Sequence, residues 1–426
     1  MRASAGPKPM NRLLSFARRI VFPAALAACV AAGPAAHAQT SFKFDFGAGK
    51  PKSGWAHISP TNLYSNETGC GFEPGAAISA GKNSIAGDQP FYFSVNLPEG
   101  NYRVTATFGG EGESITTVKA ELRRLMLENI HTAGGKTVTR SFIVNLRTPA
   151  ISTGGEVRLK DREKTREIWD WDDKLTLEFN GTHPCISKLE IKKTDVPTVF
   201  ILGDSTVCDQ PAEPWNSWGQ MLPRFFKPKI AVANHAESGE SVASSLGAKR
   251  FDKVFSLMKP GDYLFLQYGH NDMKDKATNA LAAYKLNLKK IVARTRELGG
   301  TPVLVTSMER KSCVERDTLA GYPQTVRDVA KEENCALIDL NAMSRIFYQA
   351  LGADLDKAFQ DGTHHNNYGS YELAKCVVEG IKQDKLPLAK FIVDDFKSFD
   401  PAKPDAVATF EMPASPTVAK EKPLGN

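Results

Sequence analysis

The 426 residues contain no C-x-x-C pair, no G-x-S-x-G pentapeptide, no internal repeat and no acidic cluster at metal-ligand spacing. The first absence removes zinc-ribbon and dithiol-redox motifs. The second removes the nucleophile elbow of the α/β-hydrolases. The third removes solenoids and propellers. No apolar run is long enough to span a bilayer, which needs roughly 20 residues. Positive charge is also scarcer than it looks. Arg2, Lys8, Arg12, Arg18 and Arg19 account for five of the 54 Lys+Arg, and the same stretch holds none of the 48 Asp+Glu. Beyond residue 38 the balance is therefore 49 against 48, a net of +1, which argues neither for nucleic acid nor for anionic membranes as partners.

What stands in those first 38 residues is a basic start, an apolar stretch from Ile20 to Gly33, and Ala36-His37-Ala38 before Gln39. This is the pattern of a secretory signal peptide cleaved after Ala38. Leu26-Ala27-Ala28-Cys29 offers a lipoprotein processing site as a second reading, and Arg18-Arg19 a twin-arginine route as a third. The expectation is a periplasmic or secreted protein that is not inserted in a membrane after signal removal. Beyond Cys29 there are six cysteines, an even number that permits disulfides in an exported chain. Cys70 and Cys185 are the first candidate pair. Six buried free thiols is the competing reading.

Residues 39–195 read as β. FKFDFG, QPFYFSVNL, NYRVTATFG, TVTRSFIVNL, EVRLK, KLTLEFNG and ISKLEIKK alternate apolar with polar, separated by Gly, Pro and Asn. Such runs predict an antiparallel sandwich. No nucleophile with a partner appears in this half. From Val196 the texture changes. VPTVFILGDS, KIAVANHAESG, DYLFLQYGHND, TPVLVTSM and ALIDLN are short apolar runs with helical patterns between them, such as Ala280 to Leu298 and Tyr322 to Asn334. Strand alternating with helix predicts a central parallel sheet over residues 196–399, with ligands beyond the carboxyl ends of its strands. Residues 400–426 are Pro- and Ala-rich without a periodic apolar face and read as a mobile or surface-draped tail.

The strand ends carry the chemistry. The first gives Gly203-Asp204-Ser205-Thr206, with Ser205 expected at the start of a helix whose dipole favours an anion at its N–H. A serine there is more often simply an N-cap. The second gives Glu237-Ser238-Gly239-Glu240, where Gly239 lets its N–H approach a ligand. The third gives Gly269-His270-Asn271-Asp272, where the Asn271 amide is a neutral donor suited to an oxyanion. Before a last helical stretch from about Asn367 to Gln383 comes Asp361-Gly362-Thr363-His364. Three-residue spacing on a turn brings Asp361 to one imidazole nitrogen of His364 and leaves the other for Ser205, as a serine triad requires. His365 competes for the role of base. His235 and His270 read as loop residues, and His57, His131 and His183 lie in the β half with no serine partner. Trp215, close behind the nucleophile loop, is a candidate sugar platform. Trp218 reads as helix packing.

Ser in GDST, Gly in NHAESGES, Asn in GHND and Asp with His in DGTHH resemble, in that order, the motifs of the SGNH (GDSL-type) hydrolases. FILGDSTVCDQ, NSWGQMLPRFF and DGTHHNNYGSYELAKCVVEGI are similar to the rhamnogalacturonan acetylesterases. FDFGAG, LYSNETGCGFEPG and LRRLMLENIHT resemble the galactose-binding-like β-sandwich of two-domain bacterial members. The resemblance implies an α/β flavodoxin-like hydrolase domain behind an all-β sandwich. It implies Ser205 as nucleophile, His364 as base and then acid, and Asp361 as its orienter. The Ser205 and Gly239 N–H groups and the Asn271 side chain would form the oxyanion hole. No metal and no cofactor is implied. The partner is an acetylated polysaccharide or oligosaccharide, rhamnogalacturonan first. Acetylxylan, another glycan or lipid ester, or an inactive carbohydrate-binding protein are the alternatives. One departure stands out: many single-domain relatives carry a basic residue where this chain has Glu240.

Overall fold

The computed structural model describes residues 39–75 and 77–424. In the strand Gly100–Phe108 the side chains of Tyr102, Val104, Ala106 and Phe108 are buried and those between them are not, the period-two pattern of a half-covered strand. One sheet runs, in spatial order, Val138–Leu146, Gly100–Phe108, Cys185–Lys193, Ser41–Phe46 and Ala56–Ile58, with Ile78–Ala80 and Ile85–Gly87 joined at its side. The other runs Cys70–Phe72, Phe91–Asn96, Lys174–Thr182, Ser114–Ala120 and Arg124–Thr132. Phenylalanines fill the space between the sheets. Phe93 meets Phe44, Phe46 and Phe72 edge-on at centroid distances of 5.2–5.3 Å.

Three expectations need correcting. EVRLK at 156–160 is not a strand. Only an isolated bridge joins Ala150 to Glu156, and the Arg158 N–H donates to the Ala248 carbonyl instead. The strands Ser114–Ala120 and Arg124–Thr132 escaped the alternation test because Ser114–Ala120 is buried at nearly every position, so its outer face is covered too. Cys70 and Cys185 do not pair. They lie on different sheets, Cys70 opposite Val95 and Cys185 opposite Ala86, and all six described cysteines are free thiols.

The second half is built on a five-stranded parallel sheet of Ala231–Asn234, Thr198–Gly203, Tyr263–Gln267, Thr301–Val305 and Ala336–Ile338, in that spatial order. Taking strands in chain order, this is the 2-1-3-4-5 order of flavodoxin-like folds. The first strand is buried at all six positions, because helices cover both faces of a parallel sheet. Val199 and Ile201 face a core shared with the helix Asn367–Gln383, and Phe200 and Leu202 a core shared with Ala280–Glu297 and Tyr322–Glu332. Residues 401–424 run back across the sandwich. Ser415, 2% exposed, donates to Glu178, and Glu213 and Val418 are bridged by backbone hydrogen bonds. Among the described residues no helix is long and apolar enough to cross a membrane. The signal-peptide expectation, with its Cys29 alternative, lies outside the described residues.

Candidate active site

The central strand ends at Gly203, where a Cβ would stand 2.7 Å from the Gln267 carbonyl, so only glycine lets the neighbouring strand end come this close. Asp204 and Ser205 follow in a tight turn closed by Val207 and Cys208 N–H groups on the Asp204 carbonyl, both at 3.0 Å. The expected helix does not begin here: the next one, Trp218–Met221, starts thirteen residues on, so no macrodipole acts on Ser205. Side chains brace the turn instead. The Asp204 carboxylate accepts the Thr206 N–H at 2.9 Å and its hydroxyl at 2.7 Å and faces His270 Nδ1 at 3.2 Å. Burial alone would raise the Asp204 pKa; His270 and the Thr206 donors hold it below the ordinary aspartate value. Gln210, 1% exposed, donates from Nε2 to the Ser205 carbonyl at 2.7 Å.

His364 reaches the same place from the far end of the chain. Its Nε2 is 2.7 Å from Ser205 Oγ and its Nδ1 is 2.9 Å from Asp361 Oδ2. Since a carboxylate only accepts, Nδ1 carries the hydrogen and Nε2 is left to accept from the serine hydroxyl. Asp361 Oδ1 also takes the N–H groups of Thr363 and His364, both at 2.7 Å. Partial burial raises the Asp361 pKa, but the imidazole and these two amides outweigh it and hold the carboxyl well below the usual carboxylate range. Ser205 and His364 are 2% and 1% exposed.

His365 points the other way. Its Nε2 pairs with the Tyr348 hydroxyl at 2.9 Å, its ring packs on Phe359, and burial followed by the neighbouring His364 lowers its pKa to about 3. It is a core histidine and has no path to Ser205. His235 is buried against Trp171 and Phe200 with burial pushing its pKa well down. Trp218 is fully buried and donates to Gln267, as packing requires. Trp215 stands at the site, its ring edge-on to His364 at 5.9 Å.

Gly239 has φ +80°, a left-handed conformation that favours glycine. Asn271 lies beside it, donating from Nδ2 to the Glu240 carbonyl at 2.9 Å. Glu240 itself turns away from the opening. It is 2% exposed and its carboxylate pairs with Lys160 at 2.7 Å, so the departure noted at this position serves a contact with the 147–172 stretch. Asp272 ties the same two loops, accepting the Val242 N–H at 2.9 Å. Burial pushes its carboxyl up to about 7, and its second oxygen has no partner. A carboxyl whose folded pKa is raised stabilises fully below the unfolded value and loses that contribution as pH rises towards 7. Asp272→Asn is therefore expected to match the wild type near pH 4 and to be more stable by about 2 kcal/mol at pH 8. Paired denaturant titrations across that range check it, and a pH-independent difference would contradict it.

The sequence reading missed what holds the loop of residues 205–215. Arg123 and Arg124, from the sandwich, are 5% and 1% exposed. Arg123 donates to the carbonyls of Gln210 at 3.1 Å and Trp215 at 2.9 Å, and Arg124 pairs with Asp209 at 2.8 Å and Asp170 at 2.8 Å. The available signal was two adjacent arginines inside the apolar run LRRLML.

Residues 201–370 match the model of the GDSL-like lipase/acylhydrolase family. A rhamnogalacturonan acetylesterase of Bacillus subtilis, RhgT, is 34% identical over 217 residues, 46% of this chain and 94% of that protein. The chain belongs to the GDSL-like lipase/acylhydrolase family. It is a carboxylic ester hydrolase. The family's pattern accounts for the second half only. The uncharacterized esterase YxiM of Bacillus subtilis extends over the sandwich as well, 27% identical across 81% of this chain and 91% of its own length. A solved structure of YxiM aligns with 82% of this chain and 99% of its own at a TM-score of 0.45 and 24% identity.

Proposed function

We propose that this hydrolase is a carbohydrate acetylesterase that removes O-acetyl groups from rhamnogalacturonan through Ser205, His364 and Asp361. The observation that carries the reading is the unbroken hydrogen-bond chain from Ser205 Oγ through His364 to Asp361, at 2.7 and 2.9 Å. The likeness to RhgT across nearly all of that enzyme supports the substrate. In the first step Ser205 Oγ attacks the acetyl carbonyl while His364 Nε2 takes its proton. The tetrahedral intermediate collapses, and the imidazolium returns the proton to the departing sugar hydroxyl. Water then attacks the acetyl-serine by the same route and releases acetate. Asp361, held ionised, keeps Nδ1–H in place and offsets the imidazolium charge. The Ser205 and Gly239 N–H groups and Asn271 stabilise the oxyanion. Asn271 Nδ2 carries two hydrogens, so the bond to Glu240 leaves the second for the intermediate.

The test is acetate release by the purified chain from acetylated rhamnogalacturonan, acetylated xylan and a small aryl acetate. Release fastest from rhamnogalacturonan supports the substrate. Release fastest from xylan moves it to that polymer with the mechanism intact. Silence on all three overturns the acetylesterase reading.

A further inference from the structure

We propose that a pocket beside Trp215 is the subsite for an acidic sugar unit of the substrate, and that residues 420–424 form a strap lying over it until substrate arrives. This rests on the acetylesterase reading above. Four observations carry it. First, Ser205 is 2% exposed, so an ester reaches it only through the opening that the surrounding loops leave. Second, a cavity of about 220 Å³ adjoins the triad. Trp215 and Gln210 line it, and these are the residues that touch His364 and the Ser205 carbonyl. Its other wall is residues 417–419 and 421–423. The volume is below the roughly 300–1,000 Å³ of most ligand sites, so it admits little beyond one ring while that wall is in place.

Third, the cavity has unused recognition groups. Trp215 is 7% exposed, yet its indole N–H has no acceptor. A buried donor without a partner is costly, and a sugar oxygen in the cavity would satisfy it while the ring offers its face to sugar C–H groups. Arg162 is committed to Glu167. Arg166 is different. Its one carboxylate partner among the described residues is Glu421 of the strap itself, at 2.7 Å, with both side chains more than half exposed. An exposed pair of that kind contributes little and exchanges readily. The Glu421 carboxylate occupies the place that a uronate carboxylate would take on Arg166.

Fourth, the segment is built as an anchor with a loose end. Residues 413–419 are pinned: Lys119 donates to the Pro413 carbonyl, Ser415 donates to Glu178, and Glu213 exchanges backbone hydrogen bonds with Thr417 and Ala419. Among the described residues no backbone hydrogen bond holds 420–424. Yet Leu424 reaches Gly239, where an added Cβ would lie 3.1 Å from the leucine Cβ. The strap thus ends on the glycine assigned to the oxyanion hole.

The experiment compares the full chain, a chain ending after Ala419, and full-length Glu421→Gln and Arg166→Ala. The first readout is the rate at which a small neutral fluorophosphonate labels Ser205. The shortened chain should label about fivefold faster or more. Glu421→Gln, which keeps every residue and so guards against a folding failure, should move the same way. Equal rates in all three overturn the strap. No labelling in any chain overturns the assignment of Ser205 instead. The second readout is KM for an acetylated uronate oligosaccharide against its methyl-esterified counterpart. Arg166→Ala should raise the ratio of the two about tenfold, the loss of one charge-assisted contact. An unchanged ratio overturns the subsite.

Discussion

Replacing Ser205 with alanine is expected to lower turnover of every acetyl ester by about 10⁴-fold or more, with the fold intact. The magnitude follows from geometry. Ser205 Oγ sits 2.7 Å from His364 Nε2, in reach of the base. The Thr206 hydroxyl is already spent, donating to Asp204 and accepting from Gln267 Nε2, both at 2.7 Å. With the nucleophile gone the covalent step is lost, and only binding and oxyanion stabilisation remain, which supply a small residue of rate over water. Acetate release by titration and the melting temperature of the variant measure the two halves of the statement. Turnover within tenfold of wild type would place the nucleophile elsewhere.

Replacing Arg124 with alanine is expected to cost about 3 kcal/mol of stability and most of the activity. This arginine is 1% exposed and joins three elements: Asp170, the Asn145 carbonyl and Asp209 in the nucleophile loop, each at 2.8 Å. Burial and the neighbouring Asp170 already push Asp209 up to about 7, against the pull of Arg124 and Arg147. Without Arg124 two buried carboxylates are left to share Arg147, 2.7 Å from Asp170 and 4.0 Å from Asp209, and part of the cost is met by protonating one of them. The second replacement Asp209→Asn should therefore recover a large share of the lost stability, by removing a buried charge left with only the more distant Arg147. Urea midpoints of the single and double variants decide this. A loss under about 0.5 kcal/mol for Arg124→Ala would show that the pair is incidental. The sandwich, on this account, buttresses the loop that carries Ser205, since Arg123 supplies hydrogen bonds and Arg124 an ion pair that residues 205–215 do not make among themselves.

The sequence was readable where the physics is local. Alternation in NYRVTATF and the unbroken apolar run in VFILG depend on which faces are covered, and a period of two or none reports that directly. The Asp361-to-His364 spacing was readable for the same reason, because a turn of four residues leaves few geometries for a carboxylate and an imidazole. Expectations failed where a distant segment set the environment. EVRLK has strand composition, but residues 156–160 lie against the α/β half and find partners at Ala248, Ser238 and Glu240. Ser114–Ala120 lacks alternation because residues 413–415 cover its outer face through Lys119. Cys70 and Cys185 share one half of the chain but not one sheet.

Composition and periodicity by themselves determined an α/β half behind a β half, and the resemblance carried by the motif order pointed to a hydrolase and to a serine, a histidine and an aspartate within it. Those properties are set by side-chain chemistry over a few residues. Only the tertiary structure decided which histidine meets Ser205, that Glu240 is buried against Lys160, that two sandwich arginines hold the nucleophile loop, and that Leu424 comes to rest on Gly239. Each is a contact between residues tens to hundreds of positions apart. Such contacts are selected by the burial of the whole core, and no local pattern encodes them.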